Sequence, residues 1–427
     1  MIGENSMQFD SKAPGVYKEE VFLRPRPALL TGVPGLVGFA SVIGEDKKTP
    51  SSSGRPSMSQ PVMLHRKDEF EANFKSLAEG YLADAVNGFF LNEGSHCYVV
   101  AVELDDEWNT QERREALKAA LETLAPLTDL DLIAIPDAMT LGLSSDARAV
   151  DTDALIIQLQ QEMLEHCAKH KGRMAILDAL PGRDQAAIKE QRKAIMEGLA
   201  VEKSRAKVSI HPERKAIMEG LAEPMNGALY YPWIKNYGGR VVPPCGHVAG
   251  IFARSDSRVG VFKAPANEEV KGALDLEFSM DDKTQTGLNP LGINCLRSFP
   301  GRGIRVWGAR TLHPDPNWRY INVRRLFLTL QRWIDLNMAW TSFEPNTPVL
   351  WVRIERELNS YLSGLWNAGA LMGESAEQAF YVKCDDETNT PDTEEAGQVI
   401  TEIGLAASAP AEYIVVRVVH HTGMEPR

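Results

Sequence analysis

The sequence of 427 residues is long enough for two or three domains with cores of their own. Its hydrophobic fraction of 44% and charged fraction of 24% are typical of a globular protein, while a net charge of −12 argues against general nucleic-acid binding. The five cysteines are far apart and form no CxxC pair, which favours free thiols in a reducing compartment over disulfides or a zinc site.

The first 24 residues are predicted to form an extended arm. The segment VYKEEVF at Val16–Phe22 alternates weakly between apolar and polar residues and has no hairpin partner nearby. Its backbone groups must pair with another strand, either at the edge of its own domain or on another chain. No secretory signal is recognisable, and Ala28–Gly44 is too short and too rich in glycine to span a membrane. We interpret that run as strand–turn–strand and expect a soluble protein.

Helices and strands are predicted to alternate through the middle of the chain. From Asp68 onward one helical face carries Phe70, Phe74, Leu77, Tyr81, Ala85 and Phe89. Strands are predicted at His96–Leu104, Leu130–Pro136 and Arg173–Leu180, and helices at Thr110–Leu124 and Asp153–His170. Apolar strands separated by amphipathic helices indicate an α/β fold with a parallel sheet covered on both faces.

Two aspartates end apolar strands, where α/β enzymes bind their ligands. Asp137 and Asp178 therefore keep open an α/β enzyme, hydrolase or dehydrogenase-like, although GxGxxG, GxSxG and HExxH motifs do not accompany them. Helix capping is the favoured interpretation. His166 and His170 flank Cys167 at metal-ligand spacing, but no third ligand is evident and a solvated helix face is favoured. We therefore predict no catalytic residue, cofactor or metal.

The stretch Trp318–Val382 is predicted to be a compact α/β unit. A first helix carries an apolar stripe from Val323 to Met338, with Arg324, Arg325, Gln331, Arg332 and Asp335 away from it. A second helix begins at Pro348 and ends near Gly369, and the strand Phe380–Lys383 follows. The last segment, Ala411–His421, is apolar on both faces and must lie within a sheet. The sequence RKAIMEGLA occurs twice, at Arg192–Ala200 and Arg214–Ala222, which indicates a local duplication on an exposed helix.

Charge is unevenly distributed near the C-terminus. Arginines cluster between Arg302 and Arg332, and acidic residues dominate from Asp385 to Glu412. Intrachain pairing is one interpretation, and complementary surfaces on neighbouring copies are the other. On the second interpretation the lateral contacts would involve Arg324, Arg325, Arg332, Asp385, Asp386, Glu394 and Glu395.

The sequence resembles the tail sheath proteins of contractile injection systems: contractile phage tails, R-type pyocins and extracellular contractile particles. Early blocks are APGVYKEEV at Ala13–Val21, FFLNEG at Phe89–Gly94 and RMAILDALPG at Arg173–Gly182. The resemblance is densest from Tyr230 onward, in the blocks YYPWI, VPPCGHVAGIFARSD, GVFKAPAN, LNPLGINCLR, GRGIRVWGARTL, WRYINVRRL, FEPN and PAEYIVVRV. The duplicated RKAIMEGLA departs from the family pattern.

The resemblance implies a domain scheme. It comprises an arm at 1–24, an outward α/β domain of subtilisin-like sheath topology at 25–300, a C-terminal α/β domain facing a tube at 301–410, and a terminal strand at 411–427. Terminal strands of neighbouring copies would extend the C-terminal sheet through Val16, Tyr17, Lys18, Glu19, Val21, Tyr413, Ile414, Val415, Val416 and Val418. The helix expected to approach the tube carries Glu355, Glu357, Asn359 and Ser363.

The function implied by the resemblance is mechanical. Copies would stack, as hexameric rings, into a helical sleeve around an inner tube and contract to drive the tube through a target envelope. The implied partners are further copies, paralogous sheath subunits, the tube protein, and baseplate and cap proteins, with no nucleic acid and no membrane span. Assembly would occur in the cytoplasm, as part of a phage tail or phage tail-like particle. A baseplate or capsid protein is a further alternative.

Overall fold

A computed structural model describes residues 29–43, 57–105, 108–143, 151–208, 225–408 and 414–421. Within these ranges a large domain is built on a ten-stranded sheet, and a smaller C-terminal domain is built on a three-stranded sheet. The predicted α/β class is confirmed. The arm residues from Val16 to Val21, together with Tyr413, lie outside the described residues.

The elements of the large domain alternate along the chain, as the sequence predicted. Its strands are β1 Pro34–Val42, β2 Val62–Leu64, β3 Phe74–Ser76, β4 Cys97–Val102, β5 Leu132–Ala134, β6 Met174–Asp178, β7 Gly227–Tyr231, β8 Ile234–Asn236, β9 Val241–Val242, β10 Glu268–Glu269, β11 Ala273–Leu276, β12 Ile293–Phe299 and β13 Gly303–Trp307. Its helices are α1 Asp68–Asn73, α2 Leu82–Leu91, α3 Thr110–Glu122, α4 Thr152–Lys169, α5 Gln185–Val208, α6 Cys245–Arg258 and α7 Asp282–Leu288.

The large sheet has the order β10-β13-β12-β7-β6-β5-β1-β4-β2, with β3 paired to β1. The strands from β12 to β4 in this order are parallel, while β13, β10, β2 and β3 join antiparallel. Every residue of β4, β5, β6 and β7 is buried, because helices cover both faces of the central strands. Helix α2 packs against α6, and α4 packs between α3 and α5.

Two predictions for the N-terminal part are wrong. The run Ala28–Gly44 contains one long strand, β1, instead of a strand–turn–strand. Its glycines serve close packing: a Cβ at Gly35 would lie 2.6 Å from Leu124 Cδ1, and one at Gly38 would lie 2.4 Å from Asp137 Oδ2. The helical pattern from Asp68 is interrupted, because residues 74–76 pair with β1 as β3 before the second helix begins.

The C-terminal domain contains α8 Ile321–Asn337, α9 Pro348–Asn367, α10 Ala376–Ala379, β14 Phe380–Lys383, α11 Pro391–Glu395, β15 Gln398–Leu405 and β16 Ile414–His421. Its sheet is antiparallel in the order β14-β15-β16. The predicted helix start at Pro348 and the predicted strand Phe380–Lys383 are confirmed.

The boundary between the domains lies later than residue 300. Strand β13 pairs with β12 and β10 in the large sheet, and Leu312 still belongs to the large core. Val323 and most apolar residues after it form the separate core of the small domain. A boundary at 300 would therefore divide the β12–β13 hairpin. In the part of the chain that the structure describes, no helix has the length and apolar character needed to cross a bilayer.

Candidate functional site: the small sheet and the junction helix

The small sheet is a half-buried layer whose central strand is β15. Along β15, Val399, Thr401 and Ile403 are buried, whereas the intervening Ile400 and Glu402 are partly exposed. This alternation places one face on the core of the small domain and the other toward solvent. On the outer face Tyr381 lies over Gly404, where a Cβ would come 2.1 Å from the ring.

Both outer strands of this sheet have a backbone edge that no other described strand occupies. On one side β14 pairs with β15 from Phe380↔Leu405 to Lys383↔Glu402. On the other side β16 pairs with β15 over eight positions, from Gln398↔His421 to Leu405↔Ile414. The C-terminal strand, including Ile414, Val415, Val416 and Val418, thus joins the sheet of its own chain in this structure. Edge strands of this kind are sites at which another chain can add a strand.

Helix α8 joins the two domains and is buried on nearly every side. Its stripe of Val323, Leu326, Phe327, Leu330 and Ile334 belongs to the core of the small domain. On the opposite side Ile321 and Leu328 belong to the core of the large domain. The apolar stripe that the sequence predicted is confirmed. On the polar face Arg325 and Arg332 are buried against the large domain, whereas Asp335 is exposed.

A buried ion triad fixes α8 to the large domain. The guanidinium of Arg325 donates to both carboxylate oxygens of Asp256, at 2.7 and 2.5 Å, and to Asp131 Oδ2 at 2.8 Å. All three side chains are at most 4% exposed. Asp131 also accepts from the backbone N–H of Gly32 and Val33, so the triad ties α8 to the start of β1 as well. The two carboxylates raise the pKa of Arg325 above its usual value, although burial alone would lower it.

The expectation that Arg325 and Arg332 form lateral surface contacts is therefore wrong. Both are buried; Arg332 donates to the carbonyl of Asp129 at 3.0 Å. Arg324 is partly buried, stacks on Trp318 and donates to Asn226 Oδ1. The sequence does not reveal that an arginine is buried when its partners are as far away in the chain as those of Arg325. Two residues could have indicated this pairing: Asp131, at the start of an apolar strand, and Asp256, near the end of the buried helix α6.

The acidic candidates lie on the surface of the small domain. Asp385, Asp386, Glu394 and Glu395 are exposed, in the segment between β14 and β15 and on α11. Asp385 also stabilises its own turn, because its carboxylate accepts from the backbone N–H of Glu387 and Thr388. These four side chains are therefore accessible for contact with a neighbouring molecule.

The solvent face of α9 differs from the one expected. Glu355, Glu357, Asn359 and Ser363 are partly buried and flank the exposed strip. The strip itself runs along Val349, Val352, Arg353, Arg356 and Ser360, with Val349 79% and Val352 64% exposed. Exposed apolar side chains on a helix whose opposite face is packed indicate a surface that contacts another molecule.

Asp137 holds two distant parts of the chain together. Its Oδ2 accepts from the backbone N–H of Phe39 at 2.6 Å, and its Oδ1 accepts from the N–H of Tyr81 at the start of α2. Burial raises the pKa of Asp137 to about 6, although the backbone donors act in the opposite direction. The side chain is 0% exposed, so the carboxylate does not reach solvent.

Asp178 likewise accepts a backbone hydrogen bond at the start of a helix, α6. Its Oδ1 accepts from the N–H of Cys245, the first residue of that helix, at 2.9 Å. Burial raises the pKa of Asp178 to about 7, and the residue is 3% exposed. Capping is thus the role of both aspartates, but the capped helices α2 and α6 are remote in sequence, and neither is the next helix.

Replacing Asp137 with asparagine is expected to lower the free energy of unfolding by about 1–3 kcal/mol. The amide has one acceptor oxygen, so its NH2 group would face one of the two backbone donors and leave it unpaired. Urea unfolding of the unassembled protein measures the change. Asp275→Asn, at an exposed position on β11, is the control. Equal midpoints for the two variants would refute the capping role.

The structure places a third potential metal ligand, Glu122, beside His166 and His170, which the sequence did not reveal. Glu122, His166 and His170 bring ligand atoms within 4.8 Å of one another, a spacing that could hold a metal. However, Arg173 donates to His166 Nε2 at 2.7 Å, so the neutral ring carries its proton on Nδ1, facing Glu122. Burial lowers the pKa of His166 to about 4. With Nδ1 protonated and a guanidinium beside the ring, the cluster fits a hydrogen-bond network better than a cation site.

The carboxylates at these strand ends thus hold helices in place, and both outer strands of the small sheet keep an edge that no other described strand occupies. A family model described as "Phage tail sheath protein central domain" matches residues 150–312, and one described as "Phage tail sheath C-terminal domain" matches residues 313–420. The arrangement and the matches define a structural protein of the phage-tail class. The chain belongs to the phage tail sheath family.

Individual proteins agree with this assignment. The tail sheath protein of Salmonella phage ViI is 29% identical over 171 residues, which are 39% of this chain and only 26% of that protein. The anti-feeding prophage (AFP) helical sheath in its contracted state has a TM-score of 0.66 at 26% identity, covering 95% of this chain and 98% of that one. The PVC sheath complex of an extracellular contractile injection system, also contracted, has a TM-score of 0.63 at 28% identity, with 95% and 97% covered.

Proposed function

We propose that this chain is the structural subunit of a contractile sheath, a helical sleeve of many copies around a rigid inner tube. One observation carries the proposal: among the described residues β16 is an edge strand, and it pairs with β15 over eight positions. A strand that follows the other elements of its domain and lies at a sheet edge can leave its own sheet and add to that of a neighbour without disturbing the elements before it.

The exchange costs little because the bonds are the same in both arrangements. In the sleeve, the residues of β16 occupy the place beside β15 of a neighbouring copy, in the register seen here within one chain, and Tyr413 precedes them. The arm residues Val16, Tyr17, Lys18, Glu19 and Val21 add to an open edge of the same small sheet. Contacts that do not close on one pair propagate into a helical polymer.

Contraction is a change in how the copies are arranged. Helix α8 and its buried triad of Arg325, Asp131 and Asp256 join the two domains, so that each subunit moves as one body. The strand links keep the lattice continuous while subunits rotate and dock, and the additional surface buried between them drives the tube outward. The subunit supplies this work without a catalytic residue or a cofactor.

The exposed surfaces of the small domain support the choice of two of the proposed partners. The exposed strip of α9, flanked by Glu355, Glu357, Asn359 and Ser363, faces the inner tube. The acidic residues Asp385, Asp386, Glu394 and Glu395 meet basic side chains of a neighbour, other than the buried Arg325 and Arg332. Hexameric rings, paralogous subunits, a baseplate and a terminal cap complete the particle, which assembles in the cytoplasm.

Negative-stain electron microscopy of the purified chain tests the proposal. We expect hollow cylinders or short tubes. Closed shells would indicate a capsid protein, and an absence of polymers in the presence of the tube protein would indicate a baseplate component. A monodisperse monomer or dimer that turns over a substrate would support the α/β enzyme instead.

A further inference from the structure

The duplicated segment RKAIMEGLA has one structurally described copy, Arg192–Ala200, which lies in α5. The identical copy, Arg214–Ala222, lies outside the described residues. The contacts of the first copy define what a second occupant of the same site would need.

A groove on α4 receives the first copy. Ile195 and Leu199 are 0% exposed. Gln161 of α4 donates from Nε2 to the carbonyls of Ala194 at 3.0 Å and Ile195 at 3.3 Å. A Cβ at Gly198 would lie 2.0 Å from this same Nε2, so a larger residue there would displace the Gln161 amide from the two carbonyls. The groove thus selects two apolar side chains and a glycine at fixed helical spacing.

The second copy meets each of these requirements. Ile217, Gly220 and Leu221 stand at the positions of Ile195, Gly198 and Leu199. Ile210 stands at the position of Ile188, which is also 0% exposed, but Pro212 stands at the position of Glu190 inside the helix, so a docked helix of the second copy would begin at Pro212 and leave Ile210 outside it. The buried apolar pair and the glycine that the groove receives are present twice in the chain.

One buried position distinguishes the two copies. Gln191 accepts from the N–H of Leu180 at 3.0 Å and donates to Gln160 Oε1 at 2.9 Å and to the carbonyl of Asp178 at 3.1 Å. The second copy has Glu213 at this position. A carboxylate accepts from Leu180 but cannot donate, so it would face two oxygens and favour the first copy in the groove.

The chain connection permits either copy. Helix α5 forms the crossover between the parallel strands β6 and β7, so its last turn must return to the edge of the sheet at which β7 begins. The carbonyl of Asn226 accepts from the N–H of Ala175 in β6, so with the second copy docked residues 223–225 would join Ala222 to the sheet, a length within the range of helix-to-strand loops. The surplus chain would then precede the docked helix instead of following it.

We propose that the α4 groove is one docking site with two occupants from the same chain, Arg192–Ala200 and Arg214–Ala222, which exchange in register. The exchange moves the intervening residues 201–213 from one end of the crossover to the other and leaves the sheet unchanged. The buried amide of Gln191 sets the balance toward the first copy. This inference does not depend on the sheath role.

Hydrogen exchange read by mass spectrometry tests the proposal on the full chain. In the wild type we expect stronger amide protection at residues 192–200 than at 214–222. Glu213→Gln restores the missing donor, and should lower protection of the first copy several-fold while raising that of the second. Glu219→Gln, the same change at the position equivalent to the exposed Glu197, should change neither. Unchanged protection in Glu213→Gln would overturn the proposal.

Stability gives a second readout. The double variant of the second copy, Ile217→Asp with Leu221→Asp, should leave the urea midpoint nearly unchanged. The double variant of the first copy, Ile195→Asp with Leu199→Asp, should lower the midpoint, but by less than the variant that carries all four changes. If the first-copy pair alone is as damaging as all four, or leaves no folded protein, the second copy does not replace the first. Protection of 214–222 that appears only at high protein concentration would assign the groove to a neighbouring copy and overturn exchange within one chain.

Discussion

Deleting residues 1–24 is expected to abolish tube formation while both domains remain folded. On the proposed function the arm adds a strand to the small sheet of a neighbour, and each interchain backbone hydrogen bond would add about 0.5–1.5 kcal/mol to every contact of the lattice. Electron microscopy shows the polymer, and circular dichroism with urea unfolding shows the fold. The described elements of both domains lie after residue 28, so the deletion removes none of them.

A smaller change tests whether the arm acts through its backbone N–H groups or through its charged side chains. Lys18→Pro with Glu19→Pro removes two neighbouring N–H donors that point to opposite sides of a strand, and should prevent polymerisation as the deletion does. Lys18→Ala with Glu19→Ala removes the same side chains but keeps both donors, and tubes should persist. Normal tubes from the proline variant would count against strand addition.

Replacing Arg325 with methionine is expected to lower the free energy of unfolding by about 3–5 kcal/mol. Two carboxylates, Asp131 and Asp256, would remain buried beside each other without their cation. Urea unfolding in the deletion background, where polymerisation does not interfere, measures the loss. The matched control is Arg356→Met, the same change at an exposed position of α9.

The control should change the free energy of unfolding by less than about 0.5 kcal/mol, as exposed substitutions usually do. A loss in Arg325→Met no greater than in the control would show that the triad does not hold the domains together. Adding Asp256→Leu to Arg325→Met should recover part of the loss, because one uncompensated charge then disappears.

Local pattern was sufficient to predict much of this fold. Proline at the first helical turn located the start of α9, and a short β-rich segment located β14, because both signals depend on neighbouring residues alone. The glycines of β1 were misinterpreted as turn residues. They are needed for close contact with Leu124 and Asp137, which are about a hundred positions away in the sequence. Close packing between distant segments leaves little trace in a single sequence.

The candidate site was predicted less well than the fold. The sequence left the arginines of α8 open between intrachain pairing and contacts with a neighbouring copy, and it could not show that Arg325 pairs with Asp131 and Asp256, which are far away in the chain. Asp178 was correctly favoured as a helix cap, but the helix it caps is α6 instead of the next one. Pairings of this kind depend on topology, which hydrophobic periodicity does not specify.

Crosslinking between β15 and β16 tests most directly whether copies are joined by exchanged strands. Glu402 and Arg417 are register partners, and the five native cysteines are buried, so Glu402→Cys with Arg417→Cys places one new thiol on each strand. In oxidised tubes we expect a ladder of covalent multimers on denaturing gels without reductant, whereas each single variant should run as a monomer. Tubes whose double variant forms only a disulfide within one chain would contradict the account.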